Sequence, residues 1–465
     1  MNIILNLIII LSIIILFVLS LNYVDNTKED FSNDLNNNLL KNSTVLIRNN
    51  MRTIDFNNPN DSIDSGIGSG SGFFIDKNHI LTNYHVISNY HFLSIKLPNV
   101  ESSKNYECDV ISVYPELDVA MLKIKDYESK HYLELSTSDD DSMIGKEAYA
   151  IGYPLGMEQI KASKGILNGI QDGYYQIDTP INPGNSGGPL INSDHKVIGI
   201  IFATLMFTDN IGFAIPITYV NNLIELMKDP PTRPYLINKP TLGISYSNTS
   251  EIHMDILKLC NSGITIDQVL KEGPLDNKLK TSDIICSIDN HLIDNFGNIT
   301  FNNKKYSFDE YFFFKKPGST VKLNYINNNE LKEINIPLEN KIYEKISILH
   351  YPFNDIDHFE YNGFIFMNLT LNHIINNIYN LEIKEGNLRF IEKGKVILTK
   401  KYIEKGKNTD LNNTITPPII ITKINGKEVY NLSDVRKYYK NYEIIKNEKY
   451  FTMLTENNTY YIYKI

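Results

Sequence analysis

Between residues 43 and 217, short apolar runs rich in β-branched residues alternate with clusters of Gly, Asn, Asp and Pro. Residues 44–47 (TVLI), 72–75 (GFFI) and 197–201 (VIGII) are clear examples. Runs of this length bounded by turn formers predict strands, and their succession predicts an all-β unit. The period changes at residues 219–227, where Val220, Leu223, Ile224 and Met227 recur at helical spacing. Pro230, Pro231 and Pro234 follow; a helix cannot run through them, so a domain boundary is expected near residue 232. Residues 238–340 mix short strands with two predicted short helices, and a weaker mixed α/β pattern fills residues 345–465. No internal repeat of short period is present.

The N-terminus follows a different pattern. Residues 3–24 carry no charge and are interrupted only by Asn6, Ser12, Ser20 and Asn22. About 20 apolar residues suffice to cross a bilayer, so residues 1–24 are expected to be a membrane anchor with the body outside the cytosol. A secretory signal segment, leaving a secreted or lumenal protein, is the competing reading. The flanks leave both open: no Lys or Arg precedes the run, and no clear small-residue cleavage site follows it. Residues 25–38 are polar and rich in Asn and Asp and read as a tether, with order expected from residue 39 to about Ser43 onward.

At 465 residues the chain should divide into about three domains. A net charge of -9 with no dense basic stripe supplies no attraction to a phosphate backbone, so nucleic acid is not an expected partner. The three cysteines, Cys108, Cys260 and Cys286, are odd in number and lack metal-ligand spacing. Neither a disulfide framework nor a zinc site is expected from them; they read as small buried apolar residues.

Acyl transfer to a serine needs a hydroxyl nucleophile, an imidazole to take its proton, a carboxylate to hold that imidazole, and amides aimed at the developing oxyanion. Residues 183–189 read PGNSGGP and set Ser186 among glycines that permit a tight turn. In such a turn the backbone N–H groups of Gly184 and Ser186 can converge. Residues 80–86 read ILTNYHV, an apolar strand ending in a Thr-Asn corner that presents His85. His79 and His91 lie nearby but do not follow that corner. Residues 115–124 read PELDVAMLKI, with Asp118 at the mouth of an apolar strand. Each string alone is weak: a glycine turn, a strand-end histidine and a turn aspartate are all common. The acidic run at residues 139–141 reads as a solvated loop.

Taken together, His85, Asp118 and Ser186 in this order and these contexts resemble the trypsin-like proteases of the HtrA/Deg family. The likeness extends through SGSGFFID (69–76), IGYPLG (151–156), QIDTPINPGNSGGPL (176–190) and NIGFAIP (210–216). It implies a mainly β fold, with a trypsin-like double β-barrel over residues 39–232 followed by two PDZ-like α+β domains. It also implies an ATP-independent serine endopeptidase acting on unfolded or misfolded polypeptides, without metal or cofactor. Ile181 aligns with a residue lining the pocket for the side chain before the cut, for which the family prefers small or medium aliphatic residues.

Residues 241–244 (TLGI) resemble a PDZ carboxylate-binding loop, which implies capture of peptide C-termini by Leu242, Gly243 and Ile244. Residues 263–290 and 316–323 continue the PDZ likeness. Residues 363–370 (GFIFMNLT) and 421–429 (ITKINGKEV) resemble the second PDZ-like domain of plant and fungal Deg proteases. No carboxylate-binding loop precedes the first of these strings, so packing or assembly is as good a role for that domain as peptide binding. The resemblance further implies a homo-oligomer, a trimer or larger. The alternative to an active protease is a chaperone or peptide-binding scaffold whose protease domain rests inactive.

Overall fold

The computed structural model describes residues 38–98, 104–137, 143–179, 181–204, 211–251, 254, 258–376, 393–402 and 415–465. The expected anchor and nearly all of the tether lie outside these residues, as does the acidic run at 139–141. Among the described residues no helix is long and apolar enough to cross a membrane.

The described residues open with a short helix, α1 (Asn38–Ser43), which passes directly into six strands: β1 (Thr44–Ile54), β2 (Ser62–Phe74), β3 (His79–Thr82), β4 (Tyr90–Lys96), β5 (Tyr106–Tyr114) and β6 (Val119–Ile124). The single-turn helix α2 (Tyr84–Ile87) joins β3 to β4. The strands run β5-β4-β1-β2-β3-β6, and a β5–β6 pairing closes them into a barrel. Its interior holds Val45, Ile47, Phe74, Ile80, Ile95, Ala120 and Leu122. Alternate positions of β1 and β3 point there, as the period-2 geometry of a strand requires.

The second barrel is built from β7 (Glu147–Gly152), β8 (Lys161–Gln171), β9 (Tyr174–Ile177), β10 (Pro189–Asn192), β11 (Val197–Thr204) and β12 (Gly212–Pro216), closed in the order β10-β11-β12-β9-β8-β7. The helix expected at 219–227 is two short helices, α3 (Ile217–Asn221) and α4 (Ile224–Lys228). The chain breaks between them at Leu223, which is buried. Apolar periodicity reports the shared buried face of the pair and is blind to a break that leaves that face intact.

The proline-rich boundary is a tied linker. Tyr235 and Leu236 add a parallel pairing to β5, and Asn340 brackets the exit by donating to Leu236 O at 2.8 Å and accepting from Asn238 N at 2.7 Å. The first C-terminal module then forms a sheet in the order 244–248, 264–269, 284–288, 320–327, 330–337, with Ile244–Asn248 at its edge. Its helix, α5 (Phe308–Tyr311), starts with a capping box in which Ser307 and Glu310 satisfy each other's backbone N–H. The second module forms its own sheet around Phe364–Asn368 and Val396–Lys401.

One sequence expectation is corrected here. Cys260 and Cys286 form a disulfide, and only Cys108 remains a free thiol. Cys286 lies in the buried strand Ile284–Ile288, and Cys260 packs against the same small cluster of Met254, Leu259 and Ile326. Three cysteines without a spacing rule cannot reveal which two the sheet will bring together.

Candidate active site

The candidate base, His85, and the candidate carboxylate, Asp118, come from the first barrel. Asp118 ends the tight turn Pro115–Leu117 in a left-handed conformation, φ 57° and ψ 43°, which Asp tolerates better than most residues. That turn brings its carboxylate back over α2. Oδ1 accepts from the backbone N–H of His85 at 2.8 Å, and Oδ2 lies 2.7 Å from His85 Nδ1. The Asp118 carbonyl takes the side-chain amide of Asn83 at 2.9 Å and the N–H of Tyr84 at 3.1 Å. The far end of α2 is held by Asn49, whose amide donates to Val86 O and Ser88 O. A single turn of helix has little intrinsic persistence, so these bonds define its orientation. With Nδ1 engaged by the carboxylate, Nε2 of His85 is free to accept a proton.

The candidate nucleophile, Ser186, comes from the second barrel. Asn182 O accepts from Asn185 N at 3.0 Å, closing a turn in which Gly184 has φ +100°. A side chain at Gly184 would meet Tyr153 O at 2.4 Å. Pro183 O is held by Leu155 N at 2.5 Å. In a trans peptide C=O and N–H point in opposite directions, so this bond aims Gly184 N–H away from Leu155. Among the described residues neither Gly184 N–H nor Ser186 N–H has an intramolecular acceptor. A developing oxyanion can therefore take both.

Ser71 couples the two barrels at this point. Its hydroxyl accepts from Tyr153 N at 2.9 Å and donates to Gly184 O at 2.7 Å, and its backbone N–H donates to Ser186 O at 2.8 Å. Gly187 and Gly188 lie so close to Ser71 O and Ile151 O that a Cβ at either would sit 2.1 Å away. That contact explains the paired glycines after the nucleophile. A Cβ at Gly70 would stand 2.6 Å from the Val86 methyls and 3.2 Å from Ser186 O, so the close approach of this strand to α2 and to the Ser186 turn needs a glycine there. The Ser186 hydroxyl points at Phe202 O, 3.4 Å away.

The structure places the remaining candidate residues, and the two nearby histidines, as follows. His79 is taken by Asp76, with Nδ1 2.9 Å from its Oδ2, and His91 is exposed on β4. Ile181 is half-buried against the second barrel's core, and its Cγ1 occupies the space beside Gly212, 2.6 Å from where a Cβ would stand. Gly243 has φ +67°, with Leu242 buried behind it and Ile244 starting the open edge strand. Gly243 N–H donates to Thr241 Oγ1 at 3.0 Å. The second module has a tight hairpin turn, Asn362–Gly363, where a carboxylate-binding loop would lie. The sequence placed Ser71 and Leu155 inside matching strings but did not disclose their roles. Asn49 carried no signal at all.

A family model of the trypsin-like peptidase domain matches residues 70–200, and a PDZ domain model matches residues 240–338. The putative protease Do-like 3 of Arabidopsis thaliana is 27% identical over 394 residues, covering 79% of this chain and 66% of the relative. The probable periplasmic serine endoprotease DegP-like of Rickettsia conorii is 33% identical over 243 residues, covering 48% and 46%. In both its trypsin-like peptidase domain and its PDZ domain this chain is similar to the HtrA/Deg proteases. It spans two thirds or less of the length of these two relatives. A variant of the HtrA-type protease AlgW solved with a tripeptide superposes with a TM-score of 0.51 at 20% identity, covering 66% of this chain and 96% of that one. The HtrA fold thus extends over the two barrels and a PDZ domain.

Proposed function

We propose that this chain is an HtrA/Deg-type serine endopeptidase in which His85, Asp118 and Ser186 form the catalytic triad. The observation that carries the reading is the pairing of a fixed His85–Asp118 couple with unengaged amides at Gly184 and Ser186. Ser186 Oγ attacks the scissile carbonyl carbon while His85 Nε2 takes its proton. The oxyanion accepts hydrogen bonds from Gly184 N–H and Ser186 N–H, worth about 3 kcal/mol of barrier for one such donor. Collapse breaks the C–N bond, and His85 delivers the proton to the leaving amine. Water, activated by the same imidazole, then hydrolyses the acyl-serine and restores the hydroxyl. Asp118 holds the His85 tautomer and stabilises the imidazolium in both steps.

Ile181 beside Gly212 gives the pocket an apolar wall and suits small or medium aliphatic side chains before the cut. Substrate bound as an added strand must be extended, which favours unfolded or misfolded polypeptides. The edge strand Ile244–Asn248 and the loop Leu242–Ile244 supply a second docking place, for a peptide C-terminus. Thr241 must then release Gly243 N–H to that carboxylate. The apolar run at residues 3–24 supports a membrane tether, and the Cys260–Cys286 disulfide favours a body outside the reducing cytosol. Assembly as a homo-oligomer follows from the family resemblance.

Casein hydrolysis by the full chain beside its Ser186→Ala variant tests this reading. Cleavage by the unmutated protein alone is expected. If neither cleaves across temperatures and peptide activators while both bind unfolded chains, the protein is a chaperone or scaffold.

A further inference from the structure

We propose that the second PDZ-like module is a positioning element for the catalytic histidine, acting through the contact between His350 and Tyr84. This goes beyond the assigned triad and rests on His85 being its base. Tyr84 is the first residue of α2 and immediately precedes His85. Its hydroxyl lies 3.1 Å from His350 Nδ1, and the two rings meet edge to face at 5.4 Å. Phe353 closes the contact, 5.9 Å from the Tyr84 ring and 5.8 Å from that of Tyr90.

The protonation states suit the bond. Burial, then the charges of Asp118 and Glu116, raise the Tyr84 phenol well above its ordinary value, and burial lowers His350 to about 4. At neutral pH a protonated phenol therefore donates to a neutral imidazole. The contact is also held from behind. Phe56 of the first barrel sits in a common core with Ile346, Met367, Leu369, Ile397 and Ile420 of the second module. Tyr402 donates to Asn58 Oδ1 at 2.7 Å across the same junction. A module seated this way fixes His350, and His350 adds a hydrogen-bonding contact to the Tyr84 side chain, which also packs on the first barrel's core.

The mechanical consequence follows from the shortness of α2. Its backbone is tied at both ends and Val86 and Ile87 are packed into the barrel, so the Tyr84–His350 hydrogen bond acts on the residual tilt of the turn that carries His85. Small displacements of a catalytic group are costly, about 100-fold for 1 Å. Losing one hydrogen bond should cost less, roughly tenfold in rate.

The test uses the full chain with His350→Ala, His350→Asn and Tyr84→Phe. Asn places an acceptor oxygen near the position of Nδ1, and Tyr84→Phe removes the hydroxyl while keeping the ring. Steady-state cleavage of a short peptide, its pH profile and thermal melting are measured for each. The expected result is a roughly tenfold lower kcat at unchanged KM for His350→Ala and Tyr84→Phe, a shifted acid limb of the pH profile, and recovery in His350→Asn. Wild-type kcat in a folded Tyr84→Phe overturns the proposal. So does a loss in His350→Asn equal to that in His350→Ala. If His350→Ala fails to fold, Tyr84→Phe decides alone. Failure of the wild type to react with a fluorophosphonate would instead sink the triad assignment.

Discussion

The first barrel holds the candidate base and carboxylate largely by side chains and the second holds the candidate nucleophile largely by backbone, and the two halves should fail differently when altered. His85 and Asp118 sit on one-turn structures fastened by Asn49, Asn83 and the Asp118 carboxylate itself. Ser186 sits on a glycine turn whose peptide planes are set by Leu155, Ser71 and Ile201. The first arrangement can be weakened in steps by changing one hydrogen-bonding group. The second has no slack, because a Cβ at Gly184, Gly187 or Gly188 would overlap backbone. The two C-terminal modules differ in what they touch, the first meeting both barrels, since Phe313 also lies 6.3 Å from Tyr114 of the first barrel. Tyr219 of the second barrel packs on Phe313 and Phe314 of the first module, while Tyr84 and Phe56 of the first barrel meet the second module.

The largest effect is expected from Ser186→Ala, a loss of about 10⁶-fold in kcat with the circular dichroism spectrum unchanged. Retention of measurable turnover would move the nucleophile elsewhere. Asp118→Asn should follow at about 10⁴-fold, through the wrong His85 tautomer. A rate near that of the wild type would detach Asp118 from the site. Gly184→Ala strikes the rigid half: the added methyl meets Tyr153 O, so the amide should swing out of the oxyanion site and kcat fall by about 10²- to 10³-fold. An undiminished kcat there would mean that Gly184 N–H takes no part.

The smallest effect concerns pH and the junction with the second module. His350 and His373 both face the protease domain, the latter edge to face with Phe56 at 5.5 Å, and burial holds each at about 4. In the unfolded chain these imidazoles titrate at about 6.5. The unfolded state therefore binds more protons between those values, and stability falls as pH drops through that window. Thermal melting at pH 7.5 should exceed that at pH 5. His350→Asn should lessen the difference. Equal melting temperatures at the two pH values would contradict the burial of neutral histidines in the junction.

The sequence was legible where a role depends on local backbone. A Thr-Asn corner, an aspartate at a strand mouth and a glycine turn each carry their conformation in a few adjacent residues, and these single out His85, Asp118 and Ser186 as the candidate triad. Ile181 and the Leu242–Ile244 loop were likewise placed by short strings. What could not be read depends on partners far along the chain. Ser71 meets Gly184 and Tyr153, Cys260 finds Cys286, and Tyr84 meets His350. The hydrophobic pattern states only that such residues are near an interior and leaves their neighbours open. The break at Leu223 was invisible for a related reason, since both helices present one apolar face to a common core.

The central assignment is tested most directly by treating the full chain with a fluorophosphonate and locating the adduct by peptide mass spectrometry. The expected result is a single phosphonyl group on Ser186, formed in the unmutated protein and lost in His85→Ala. An adduct on another residue, or labelling of Ser186 at the same rate without His85, would contradict the triad.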